Sequence, residues 1–181
     1  MKSKLILSMA ALLSISAFLI LNSCSQLKTI TVHKTYSDIE FVITSPQSAS
    51  TFEIEEAIQA DLQDLASSYG FDINKIESAT INSISLQIVD SNIAPYTFAV
   101  VDNAVCSFSA DGLSVAEVGT DDAVHTSPTQ IDFNLNGIDV TPYLKASSYK
   151  AKIKLTTNTL ITHDVPMKAK IECSIKVKPF K

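Results

Sequence analysis

Met167-Lys168-Ala169-Lys170-Ile171-Glu172-Cys173-Ser174-Ile175-Lys176-Val177-Lys178 alternates apolar or small side chains with polar ones along its whole length. Successive side chains of an extended strand point to opposite faces, so this stretch predicts a half-buried antiparallel strand. The segment before it repeats the pattern. Tyr149, Ala151, Ile153 and Leu155 face one way, and Lys150, Lys152 and Lys154 the other.

The same period recurs upstream. Ile131, Phe133 and Leu135 alternate with Asp132, Asn134 and Asn136, and Ala104, Cys106 and Phe108 with Val105, Ser107 and Ser109. Asp111-Gly112 is a two-residue hairpin signal, and Leu113 to Val118 reads as the returning strand. Ile76 to Asp90 alternates in two phases, and the slip at Asn82-Ser83 predicts a bulge or a break. Leu27 to Thr44 is extended until Ser45-Pro46 stops it, and Thr141-Pro142 opens a short helical turn through Leu144. The exception is residues 51–69. Ser50 and Glu53 form a capping box, and Ile54, Ile58, Leu62, Leu65 and Tyr69 follow at helical spacing up to Gly70. One amphipathic helix over about 51–69 is expected, with its acidic turns in solvent. Eight or nine strands and one helix predict a mainly β fold. The first expectation is an antiparallel β-sandwich, immunoglobulin-like or jelly-roll-like; the second is an α+β layer with the helix across one sheet.

Composition narrows the roles. The chain has 181 residues, a formal charge of −5 and no tryptophan, and all 14 basic residues are lysine. Nine lysines fall in residues 145–181, beside only Asp164 and Glu172. A net acidic chain without arginine or tryptophan argues against nucleic-acid binding. The lysine rows Lys150, Lys152, Lys154, Lys168, Lys170, Lys176 and Lys178 are the most unusual feature. One reading joins them into a single basic sheet face for anionic lipid or an acidic glycan; the other is a solvated outer face answered by acids on neighbouring strands.

The remaining candidates are weaker. Asp132, Asn134, Asn136 and Gly137 look like the opening of an EF-hand loop, but its twelfth position is Tyr143, where a bidentate glutamate is needed. In a strand, alternate residues sit about 6.6–6.8 Å apart along one face, too spread for three to hold one ion. His33, His125 and His163 belong to no catalytic motif, although Asp121-Asp122 lie near His125 and Asp164 follows His163. No metal, cofactor or catalytic set is expected. Cys106 and Cys173 are in phase with apolar neighbours. They predict either a disulfide, if their Cα atoms come within about 7 Å, or two buried thiols.

The amino terminus adds a location. Lys2 and Lys4 precede an apolar run from Leu5 to Leu21, which ends in Leu21-Asn22-Ser23-Cys24 and turns polar at Ser25-Gln26. This resembles the signal peptide and lipobox of a bacterial lipoprotein. The resemblance covers about residues 1–26. It implies cleavage before Cys24, diacylglycerol on its sulfur, and membrane attachment, since several acyl chains on one residue make a durable anchor. Ser25 in place of an aspartate implies the outer membrane, and the absence of a following acidic cluster implies that the protein faces the periplasm. The expected organisation is a leader at 1–23, a lipidated anchor and tether at 24–30, and one domain at 31–181. The expected function is a non-enzymatic binding or structural module of the cell envelope, with an envelope protein, anionic lipid or glycan as partner. The alternative is a carrier for an apolar ligand or lipid.

Overall fold

A computed structural model describes residues 29–89, 97–121, 128–146 and 148–178. The leader, Cys24 and most of the tether lie outside the described residues, as do Asp122 and His125. Two antiparallel sheets face each other. The first is ordered β1-β9-β3-β6, from β1 (Ile30–Ile43), β3 (Ile76–Ile88), β6 (Gln130–Asp132) and β9 (Val165–Val177). The second is ordered β2-β8-β4-β5-β7, from β2 (Thr51–Gln59), β4 (Val101–Ser109), β5 (Ala116–Asp121), β7 (Asn134–Leu135) and β8 (Ser148–Thr157). The fold is a β-sandwich, as the alternation predicts.

Each sheet turns its apolar phase inward. Phe41, Leu86, Ile171 and Ile175 from the first sheet and Phe108, Ile153 and Leu155 from the second are buried in one core. Three aromatic rings span it: Tyr149 packs on Phe108 at 4.9 Å and meets Tyr36 edge-on at 6.2 Å between centroids. Burial of such rings is the main stabilising term in a core of this kind. The phase slip in β3 is a shift of pairing register between Ile81 and Ser83. The hairpin at Asp111-Gly112 is also present, but its returning strand starts at Ala116 and continues to Asp121, later than Leu113–Val118.

The helix expected over 51–69 is corrected. Only Leu62–Tyr69 is helical (α1), and residues 51–59 form β2. The reason is that Ile54 and Ile58 are four apart, a spacing that serves both a helical stripe and one face of a strand. Pairing with β8 decides between them. It sets Phe52 opposite Leu155, Ile54 opposite Ile153 and Ile58 opposite Tyr149, and it sets Glu53 and Glu55 opposite Lys154 and Lys152. The capping box is not formed, because Ser50 Oγ donates to Ser48 O. Asp61 adopts a left-handed conformation between strand and helix. In α1, Leu62 and Ala66 are buried, whereas Tyr69 is exposed rather than on the core stripe.

One short segment ties the sheets together. Asp132 pairs with Ser85 in the first sheet, and Asn134 pairs with Thr120 in the second. The chain therefore changes sheets at Phe133, whose N–H donates to Ile84 O at 3.0 Å. Beyond it comes the predicted helical turn, α2 (Thr141–Lys145). Asp139 accepts from the N–H groups of Ala79 (3.1 Å) and Thr141 (3.0 Å), joining this turn to β3. Partial burial pushes the Asp139 carboxyl up, but the bonds from Thr141 and Ala79, with Lys145 nearby, outweigh it and hold it below the usual carboxylate range. A carboxyl depressed in the folded state adds stability that is complete above its unfolded value of about 4 and is lost as pH falls through the folded value. Asp139→Ala is therefore expected to cost about 0.5–1.5 kcal/mol at pH 7, the usual net loss of an intramolecular hydrogen bond. Urea unfolding at pH 7 and pH 3 checks this: the gap from wild type should narrow at the lower pH.

Candidate functional site

The lysine rows do not make one face. Lys150, Lys152 and Lys154 lie on β8, and Lys168, Lys170 and Lys176 on β9, with Lys178 just past its end. Their inward neighbours are buried, so these lysines point outward from opposite sheets. The single basic face is thus corrected to two outer rows, because the two strands belong to different layers of the sandwich.

Acids answer most of these lysines. Glu55 of β2 takes both Lys150 (2.6 Å) and Lys152 (3.2 Å). Lys168 bonds Asp38 (2.8 Å), Lys170 bonds Glu172 (2.5 Å), and Lys178 pairs with Glu77. Hydrogen bonds from its two lysines hold Glu55 below the usual carboxylate range, and Lys168 does the same to Asp38. Exposed pairs of this kind contribute little stability, typically 0 to about 1 kcal/mol. They do neutralise the rows. No ion pair of Lys154 or Lys176 occurs among the described residues.

Two histidines reach hydroxyls. Ser174 Oγ lies 3.2 Å from His33 Nδ1 and accepts from Asn82 Nδ2 at 2.7 Å. Asn82 is the residue skipped by the register shift of β3, which turns its amide towards β9. A serine beside a histidine is half of a nucleophile–base arrangement. Here both lie on the open outer face of the first sheet, and His33 is exposed. His163 Nδ1 lies 3.0 Å from its neighbour Thr162 Oγ1, also in the open. Neither pair sits in a cleft that would exclude water around a reacting bond.

The acid-and-asparagine run is dispersed by the change of sheet. Asp132 accepts from Gln130 Nε2, while Asn136 donates to Glu117. Among the described residues no three His, Cys, Asp or Glu side chains gather around a metal-sized space.

Cys106 and Cys173 are both buried and both free thiols, on β4 and β9 of opposite sheets, so the alternative of two buried thiols is the one present. Burial pushes each thiol up to about 12. Thiolate is the reactive form, so both should resist an alkylating reagent at pH 7.5 in the native protein and both should react in denaturant. Intact-mass measurement with and without denaturant reads this directly.

The interior leaves little room. An apolar recess lined by Ile43, Ile88, Phe98, Val101, Ile161 and Val165 holds about 10 Å³. Pockets that enclose a ligand run to about 300–1,000 Å³. The larger concavities are surface grooves. One of about 520 Å³ runs between the edges of β1 and β2, lined by residues 34–40, 56–59 and Asp61. Sequence reasoning missed this groove, because it depends on residues 51–59 being a strand. Among the described residues no helix is long and apolar enough to cross a membrane.

No family model matches the sequence, and no curated protein matches it. Solved structures do. A structure of Desmodium yellow mottle tymovirus shares 13% identity at a TM-score of 0.30, over 84% of this chain and 90% of that one. A Triatoma virus structure shares 12% at 0.41, over 82% and 66%. A carbohydrate-binding module of the beta-sandwich superfamily shares 10% at 0.37, over 80% and 55%, so this chain spans about half of that one.

Proposed function

We propose that the chain is a lipid-anchored protein of the bacterial cell envelope, held in the outer membrane towards the periplasm, whose β-sandwich acts as a non-enzymatic binding or structural module. The observation that carries this reading is Leu21-Asn22-Ser23-Cys24 behind a basic start and an apolar run. Its supporting context is that β1 begins at Ile30, shortly after that cysteine, and that the described residues enclose their own core. Work through surfaces rather than a reactive centre is supported by the open setting of His33 and His163. The carrier reading has no comparable support, since a recess of about 10 Å³ cannot take an acyl chain. The neutralised lysine rows also weaken anionic lipid as the main partner and leave an envelope protein as the favoured one.

Metabolic labelling with a palmitate analogue tests the anchor. The wild-type chain should take up label and stay with the membrane pellet through high-salt and carbonate washes. Cys24→Ala should take up none. A wild-type chain without label, or a labelled variant, would overturn the proposal.

A further inference from the structure

We propose that the turn between β4 and β5, Ala110 to Val115, dips Leu113 and Val115 into the membrane that holds the anchor, so that the domain docks on it end-on. This rests on the lipid-anchored reading and adds a second membrane contact to it. The tether decides which end can dock. From Cys24 to Thr29 it reaches at most about 20 Å, since an extended chain covers about 3.3–3.6 Å per residue. β1 starts at Ile30, so the end of the sandwich that holds Ile30 stays within that reach of the bilayer. A series of contacts carries the turn to the same end. Ile30 and Ile76 both pair with Val177. Lys145 Nζ donates to Ile76 O at 3.1 Å, which seats α2 there, and Tyr143 Oη of α2 donates to Ser114 O in the turn.

The turn presents apolar side chains and is held in place. Val115 is 62% exposed, more than any other large apolar side chain among the described residues, and Leu113 is 36% exposed. Leu113 N–H donates to Ala110 O at 3.0 Å, and Gly112 takes the left-handed conformation that the tight turn needs. With Tyr143 also holding Ser114, little chain freedom remains to be lost on contact. Apolar side chains gain free energy by leaving water for the boundary between headgroups and acyl chains. Asp111, exposed in the same turn, keeps the contact shallow, because burying its charge is costly. The attraction does not call on the lysines: Lys150, paired with Ser109 at the start of the turn, is bonded to Glu55. Val42 and Leu160 are exposed as well, but at the opposite end. β1 has 14 residues, so Val42 lies about 40 Å from Ile30 at about 3.3 Å per residue. Leu160 precedes Ile161, which pairs with Gln47 just past the end of β1. Docked by the turn, the domain stands upright and presents that far end to the periplasm.

The chain contains no tryptophan, so a single introduced one reports alone. The test places the full lipidated chain, as Val115→Trp or Leu160→Trp, in vesicles of phosphatidylethanolamine and phosphatidylglycerol that carry a doxyl-labelled phosphatidylcholine. Emission from Val115→Trp should shift to the blue and be quenched at least threefold more than that from Leu160→Trp, in low and high salt alike. Adding Leu113→Asp to Val115→Trp should cut the quenching at least threefold, with circular dichroism unchanged because both side chains reach the surface. Unshifted emission from Val115→Trp, or equal quenching of the two variants, would overturn the proposal. So would quenching that high salt abolishes, which would mean ionic rather than apolar contact, or quenching that Leu113→Asp leaves intact. Such a failure with palmitate uptake intact leaves the anchored module standing. A chain that takes up no palmitate removes the anchor and this docking with it.

Discussion

Phe108→Ala should lower the stability of the domain by about 3–5 kcal/mol, the usual loss for a buried phenylalanine. Phe108 has no exposed surface. Its ring contacts Tyr149 of β8 at 4.9 Å and Tyr143 of α2 at 6.2 Å, so one side chain holds β4, β8 and α2 against each other. Truncation removes the transfer energy and leaves a void that two rigid rings cannot fill by collapsing. Single domains are stable by only about 5–15 kcal/mol, so the loss would remove a large share of the total. Urea unfolding followed by fluorescence and far-ultraviolet dichroism should show a lower midpoint with an unchanged slope. Ser107→Ala, one residue away and outside the core, should stay within about 0.5 kcal/mol. A Phe108→Ala loss below about 1 kcal/mol would mean that these rings do not pack as described.

Gly119→Val should cost about 1–3 kcal/mol, for the opposite reason of overpacking. A Cβ at Gly119 would lie 3.1 Å from Phe133 Cβ and 3.2 Å from the Asn134 carbonyl oxygen. One of those neighbours is backbone, in the segment where the chain passes between sheets, and β7 is held there by its pairing with Gly119 and Thr120. The substitution should therefore loosen that crossing. A double-mutant cycle with Phe133→Gly, which removes the crowded Cβ, separates crowding from a propensity effect. If crowding is the cause, the second truncation should recover part of the loss, and strictly additive losses would exclude it.

Much of the architecture could be read from residue order. The lysine-bearing alternation of β8 and β9 specifies two half-buried strands, and the slip at Asn82-Ser83 marks a bulge through the change of phase alone. Residues 51–69 could not be read the same way. Ile54 and Ile58 suit a helix and a strand equally, and only the glutamate–lysine register with β8, a contact distant in sequence, decides between them. The functional surface was less legible for the same reason. The lysines of β8 and β9 look like one face as long as the layer of each strand is unknown. The groove beside β2 exists only because β2 is a strand.

β9 is the last strand among the described residues and yet an inner one of its sheet, flanked by β1 and β3. Its partners are β1, the first described strand, and β3, so the first layer lacks their shared partner until residues 165–177 have been made. A nascent chain cannot close this layer before those residues emerge. A nonsense mutation shortly before Val165 would leave two orphaned edges rather than a smaller domain.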